Sequence, residues 1–166
     1  AKLEYKVIEK GSNGFLGIGS KPAIIKAKKN QSVEDIAREF LNKVFTAMEL
    51  TVKIDIKIVE NEKENIVNIN IIGDDMGILI GKRGQTLDSL QYLVSLVINK
   101  ECEKFNRVKL DTENYRERRK ATLENLARNI SLKVKRIKKP VALEPMNPYE
   151  RRIIHSALQN DKFCTT

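Results

Sequence analysis

Tryptophan is absent from the 166 residues, and aromatic side chains amount to 5 %. A surface that holds nucleobases or ligands mainly by ring stacking is therefore hard to build. Histidine occurs once, as His155, and cysteine twice, as Cys102 and Cys164, far apart in sequence. That supply gives no disulfide framework and no metal-ligand spacing, so neither a metal site nor a bound cofactor is expected. A reducing, cytoplasmic setting is the expectation from cysteine use. No apolar run approaches the roughly 18 residues that suggest a membrane span. The opening Ala1-Lys2-Leu3-Glu4 is charged and lacks the apolar stretch of a signal peptide. No nucleophile, base and orienting group occur in a recognisable set, so an enzyme is not expected.

Charge is plentiful and unevenly placed. The chain carries a net +9. Residues 1–30 hold seven Lys/Arg against two acids, residues 31–115 eleven against fifteen, and residues 116–166 thirteen against five. Both ends are basic and the middle is acidic. Basic ends attract a polyanion. Residues 116–139 concentrate the effect, with ten Lys/Arg against Glu117 and Glu124. A solvated helix face needs less positive excess than that, so a phosphate-facing helix is the sharper reading.

Periodicity divides the chain further. Residues 3–9 and 23–29 read as strands of a hairpin, joined by the glycine-rich stretch Gly11 to Ser20. Ser32, with Asp35 three residues on, starts a helix whose apolar stripe runs from Val33 through Ile36, Phe40 and Leu41 to Met48. Val52 to Ile58 and Val67 to Ile71 alternate as half-buried strands. Asp74 and Asp75 are placed to cap a short helix, Met76 to Ile80, and a longer helix follows Gly84. Val108 and Leu110 mark a third strand. A long helix is expected from about Glu113 to Lys138, stopped by Pro140. Val141-Ala142-Leu143 reads as a strand, Tyr149 to Leu158 as a helix opened by Pro148, and Phe163 to Thr166 as the start of another strand.

Between the two central helices stands Ile78-Leu79-Ile80-Gly81-Lys82-Arg83-Gly84-Gln85-Thr86-Leu87. Glycines remove the side chains that would keep a ligand from the backbone. The amides opening the next helix favour phosphate oxygens, and Lys82 and Arg83 add charge there. A Gly-x-x-Gly alone is weak. Set after two alternating strands and between two apolar-faced helices, it is the KH signature, in which the loop clamps about four nucleotides' backbone. The helix-strand-strand-helix-helix-strand order resembles a type II KH domain. A P-loop does not fit: Gly77 and Gly81 have three residues between them, and Arg83 stands where Ser or Thr is needed. Gly14, Gly17 and Gly19 do not make a dinucleotide fingerprint either. Residues 31–111 carry eleven Lys/Arg against fourteen acids, so the clamp alone would bind phosphates weakly.

Arg151 and His155 lie four apart on the last helix and share a face. The segment Asn147-Pro148-Tyr149-Glu150-Arg151-Arg152-Ile153-Ile154-His155 resembles the signature of a small α/β domain, Arg-x-x-x-His, that binds single-stranded nucleic acid. Met76 to Leu93, Glu113 to Arg119, Glu144 to His155 and Gly14 to Ala23 together resemble the bacterial Jag family, also called KhpB, named for association with the sporulation membrane insertase. The resemblance implies an α+β chain in three parts. Residues 1–30 would be part of an N-terminal domain, 31–111 a type II KH domain, and 112–166 an Arg-x-x-x-His domain whose usual last strand would follow Thr166.

It also implies a cytoplasmic, non-enzymatic RNA-binding regulator linked to cell-envelope growth and working with a small KH protein, KhpA. Single-stranded RNA is the expected ligand, with single-stranded DNA left open. Gly81 and Gly84 would admit the backbone, Lys82 and Arg83 would meet phosphates, Ile78, Ile80 and Leu87 would form an apolar groove for bases, and Arg151 and His155 would make a second contact. The alternative is a protein–protein adaptor or homodimer that pairs through an open strand edge.

Overall fold

The computed structural model describes residues 3–11, 21–29 and 31–165. Strands β1 (Leu3–Glu9) and β2 (Ile24–Lys29) pair antiparallel, with Tyr5 opposite Ala27 and an irregularity between Val7 and Glu9. The glycine-rich connection expected between them falls on residues 12–20, outside the described residues.

Helix α1 (Val33–Ala47) starts as its first residues dictate. The Asp35 N–H donates to Ser32 Oγ at 3.1 Å, and the Ser32 N–H donates to the Asp35 carboxylate at 3.3 Å. This reciprocal pair satisfies two amides that a helix start otherwise leaves open. Ile36, Ala37, Leu41 and Phe45 form the buried face. Strands β3 (Val52–Glu60) and β4 (Asn65–Gly73) follow as an antiparallel pair, then α2 (Met76–Ile80), a 3-10 turn over Lys82–Gly84, α3 (Gln85–Glu101) and β5 (Asn106–Thr112). The last of these pairs parallel to β4, so β4 is the centre of the sheet.

Alternation puts Val67, Ile69 and Ile71 of β4 and Val108 and Leu110 of β5 on one face, against α1 and α3. The opposite face carries polar side chains in register, with Lys57 beside Asn68 and Asn68 beside Lys109. Leu87, Leu90, Val94 and Ile98 recur at helical spacing along α3 and close the core from above.

A second, smaller core joins α4 (Tyr115–Ile137) to α5 (Pro148–Leu158). Leu123 and Ala127 meet Ile154 and Leu158, with Leu143, Met146 and Cys164 packed at the margin. Asn147 caps α5 by accepting the Glu150 N–H at 2.8 Å.

Four local expectations do not hold. Asp75 stands at the first position before α2 but has a left-handed backbone and makes no side-chain cap hydrogen bond. The long helix ends at Ile137, within a residue of the expected Lys138, but Pro140 is not what stops it. Lys138 turns left-handed and donates its N–H to the Val134 carbonyl at 2.7 Å, which closes the last turn before the proline is reached. Residues 141–143 form no strand, because Leu143 packs onto the second core instead of pairing its backbone; nor do the described residues 163–165.

Candidate nucleic-acid interface

The loop between α2 and α3 is built on three residues with positive φ. Gly81 has φ +66 and ψ −165, Arg83 φ +58 and Gly84 φ +81. The Gly81 N–H donates to the Gly77 carbonyl at 2.9 Å and so ends α2. A β-carbon on Gly81 would collide with Thr86 Oγ1, and one on Gly84 would lie 2.8 Å from Tyr115 Cε1. Both glycines are thus demanded by the chain itself: the first by the start of α3, the second by a tyrosine from α4.

Side chains of the loop divide. Lys82 is exposed and forms no ion pair with a described carboxylate. Arg83, also in the left-handed region, points across to the segment between α4 and α5. Its Nη1–H donates to the Pro145 carbonyl at 2.7 Å, and Nη2 pairs with the Glu144 carboxylate. Ile78 is 56 % exposed and Ile80 half-buried beside the loop. Leu87 is a correction. It is 0 % exposed and belongs to the main core, since its place three residues after Gly84 turns it inward with Leu90 and Val94. It supports the loop from beneath and offers no surface to a base.

The loop meets the second unit at a tight joint. Tyr115 packs against the first core and over Gly84, and burial pushes its hydroxyl pKa up. Arg116 ties α4 to α3 and β5: Nη1 pairs with Asp88 at 2.8 Å, Nε–H donates to the Leu110 carbonyl at 3.0 Å, and Nη2 donates to Gln91 Oε1 at 3.2 Å. Arg119 holds Glu150 of α5 through Nε at 2.8 Å and Nη2 at 2.7 Å, with the glutamate side chain only 7 % exposed. Tyr115, Arg116, Arg119, Glu144 and Glu150 are not legible as a joint from sequence. They appear there only as members of a basic helix and a family-like segment, and their partners lie up to 62 residues away.

Arg151 and His155 are exposed one turn apart on α5. Both line a groove of about 1140 Å³ between α4, α5 and residues 138–146, together with Lys135, Lys138 and Lys139 over an apolar floor that includes Ile154 and Leu158. Lys135 Nζ sits 4.1 Å from the Phe163 ring centroid. The Ser131 hydroxyl, followed by the Phe163 N–H, holds the Asp161 carboxyl below its ordinary pKa and fixes the chain after α5.

The basic helix is less uniform than its composition. Arg116, Arg118, Arg119 and Arg128 pair with Asp88, Glu113, Glu150 and Glu124. Lys120, Lys133, Arg136, Lys138 and Lys139 form no ion pair with a described carboxylate. Four of these five lie in the last turns of α4 or just after it, where the helix dipole favours cations, and two of them line the groove beside Arg151. Among the described residues no group of three His, Cys, Asp or Glu could hold a metal ion, and no helix is long and apolar enough to cross a membrane.

Comparison with known proteins agrees with this layout. Residues 34–110 match the family model for the KhpA/KhpB KH domain, residues 121–166 that for the Arg-x-x-x-His domain, and residues 1–29 that for the Jag N-terminus. A protein of Clostridium symbiosum named RNA-binding protein KhpB is 68 % identical over 165 residues, covering 99 % of this chain and 73 % of that protein. The protein of that name in Bacillus subtilis is 41 % identical over 158 residues, 95 % of this chain and 74 % of its own. In Lactiplantibacillus plantarum the identity is 33 % over 147 residues, 87 % of this chain and 44 % of that one. With its α+β layout, its loop between Gly81 and Gly84 and its Arg151–His155 pair, the chain belongs to the KhpB family.

Proposed function

We propose that this chain binds single-stranded RNA along a path from the 81–84 loop to the groove of Arg151 and His155. The observation that carries the reading is Lys82, an exposed cation without an ion-pair partner among the described carboxylates, at the tip of a loop held by two positive-φ glycines. Backbone amides and a bare ammonium at such a turn suit phosphate oxygens. Gly81 and Gly84 keep the turn low, Ile78 and Ile80 offer apolar surface to bases, and Arg83 supplies a guanidinium at the loop's far side. Arg151, His155 and the lysines at the end of α4 take the strand onward. The matches to the KH and Arg-x-x-x-His domains, and the RNA-binding names of the relatives, support this ligand.

The division at residues 30/31 and 111/112 belongs to the same reading. So does the biological role that family membership supports: a cytoplasmic post-transcriptional regulator linked to cell-envelope growth, acting with the small KH protein KhpA. Tyr92, Leu93 and Leu96 form an exposed apolar stripe on α3, which favours a protein contact, with KhpA or a second copy, alongside RNA binding.

Fluorescence anisotropy with a labelled single-stranded RNA of about 12 nucleotides, and its DNA equivalent, tests the reading. Lys82→Asp and the pair Arg151→Ala/His155→Ala should each weaken binding about tenfold or more while the chain stays folded. Binding equal to the native chain in both, with the same salt slope, would leave only nonspecific attraction to α4 and favour the adaptor role.

A further inference from the structure

Arg83 is a loop cation whose charge is already matched inside the chain. Its side chain is 27 % exposed, while that of Glu144, 61 residues on, is 75 % exposed. The guanidinium is shared: Nη1 is held by the Pro145 carbonyl and Nη2 by the Glu144 carboxylate. The Glu144 carboxylate on Nη2 occupies the place that a non-bridging phosphate oxygen would take.

Resting on the RNA-binding reading above, we propose that Glu144 is an internal competitor for the loop's phosphate site, and that a phosphodiester of the bound strand displaces it from Arg83. Three features favour exchange over a permanent strut. Glu144 is largely in water, so its carboxylate is not left buried when it lets go of Arg83, and the incoming phosphate takes over the guanidinium's charge. The Pro145 carbonyl retains Nη1, so the guanidinium stays aimed when the carboxylate leaves. The joint between the two units is held independently by Arg119 with Glu150, Arg116 with Asp88, and Tyr115 over Gly84.

Position adds a fourth. Glu144 and Pro145 also line the groove that holds Arg151 and His155. A strand running from the loop to that groove passes the carboxylate, which repels it until displaced. Glu144 therefore sets a threshold: the apparent dissociation constant rises as the fraction of molecules with Arg83 free falls.

The test is binding of the same RNA, about 12 nucleotides long, at low salt by the full chain, Glu144→Gln and Glu117→Gln, each with and without Arg83→Gln. Glu117 is exposed and forms no ion pair with a described cation, so its variant reports the general effect of losing one negative charge. Glu144→Gln should bind about three- to tenfold more tightly than the native chain. Glu117→Gln should gain less than about twofold, and without Arg83 the Glu144 gain should fall to that level. Native binding with no gain in Glu144→Gln overturns the competitor role and leaves the contact as a strut. A gain that persists without Arg83 overturns it as well, as a general charge effect. Absence of binding by every chain, all folded by circular dichroism, would instead sink the RNA-binding reading and this proposal with it.

Discussion

At the scale of single residues, the glycines of the loop separate backbone need from convenience. Gly84 has φ +81 and faces the Tyr115 ring, where a β-carbon would approach to 2.8 Å. Gly77, in α2, has nothing within 4 Å of its missing β-carbon. Gly84→Ala should therefore destabilise by about 2–3 kcal/mol, from the left-handed backbone and the forced shift of the ring. Gly77→Ala should be neutral or stabilising by up to about 1 kcal/mol, as expected for glycine inside a helix. Urea denaturation of the two variants measures the contrast, and equal midpoints would contradict it. The positive φ is legible from the Gly-x-x-Gly pattern. The tyrosine is not, because it approaches from well beyond the loop in sequence. Leu87 reads wrongly for a related reason: spacing puts it next to the loop, but only the direction of α3 decides that it faces the core.

At the scale of elements, α4 is the member on which the two halves depend. Its first turns sit on the first core, its middle builds the second, and its last turns carry the cations without ion pairs. The Arg119–Glu150 pair fixes where α5 lies on it. Arg119→Met would leave the Glu150 carboxylate buried without a cation, a loss of about 3 kcal/mol in a denaturant titration. Arg128→Met, on an exposed arginine 3.9 Å from Glu124, should cost no more than about 0.5 kcal/mol. Similar losses for the two would show that Glu150 is adequately solvated after all. Elements with a local signal are readable in advance: the Ser32–Asp35 cap, the alternation of Ile54, Ile56 and Ile58, and the stripe of α3. Residues 141–143 have the composition of a strand and form none, since Leu143 packs on the second core as a single anchor while Ala142 stays exposed. The Arg83 contact carries no local signal at all.

At the scale of the whole molecule, the joint fixes the distance between the 81–84 loop and the Arg151–His155 groove. Two weak contacts held at a set spacing act as one stronger site for any ligand that reaches both, because the second contact forms at high effective concentration. Lys82→Asp and Arg151→Ala should therefore each cost much more on an RNA of about 12 nucleotides than on one of about 4, with a difference of about tenfold or more. Calorimetric titration with the two lengths distinguishes this from independent sites, for which the losses would be the same. The excess of acids in residues 31–111, fourteen against eleven Lys/Arg, makes such cooperation useful, as the loop has little long-range attraction of its own.

The parallel pairing of β4 with β5 has a consequence for how the chain acquires its shape. The partners Asn65 and Asn106, joined through their side chains at 3.0 Å, are 41 residues apart. The β3–β4 hairpin can close as soon as its own residues exist, but its central strand must wait with one edge open until α2, the loop and α3 have been made. During synthesis the Val67, Ile69 and Ile71 face then has α1 to pack on but lacks α3 for the time those residues take to emerge. The 81–84 loop lies within this crossover, so a change that slows its turn would first be felt as aggregation of nascent chains and only afterwards as weaker binding.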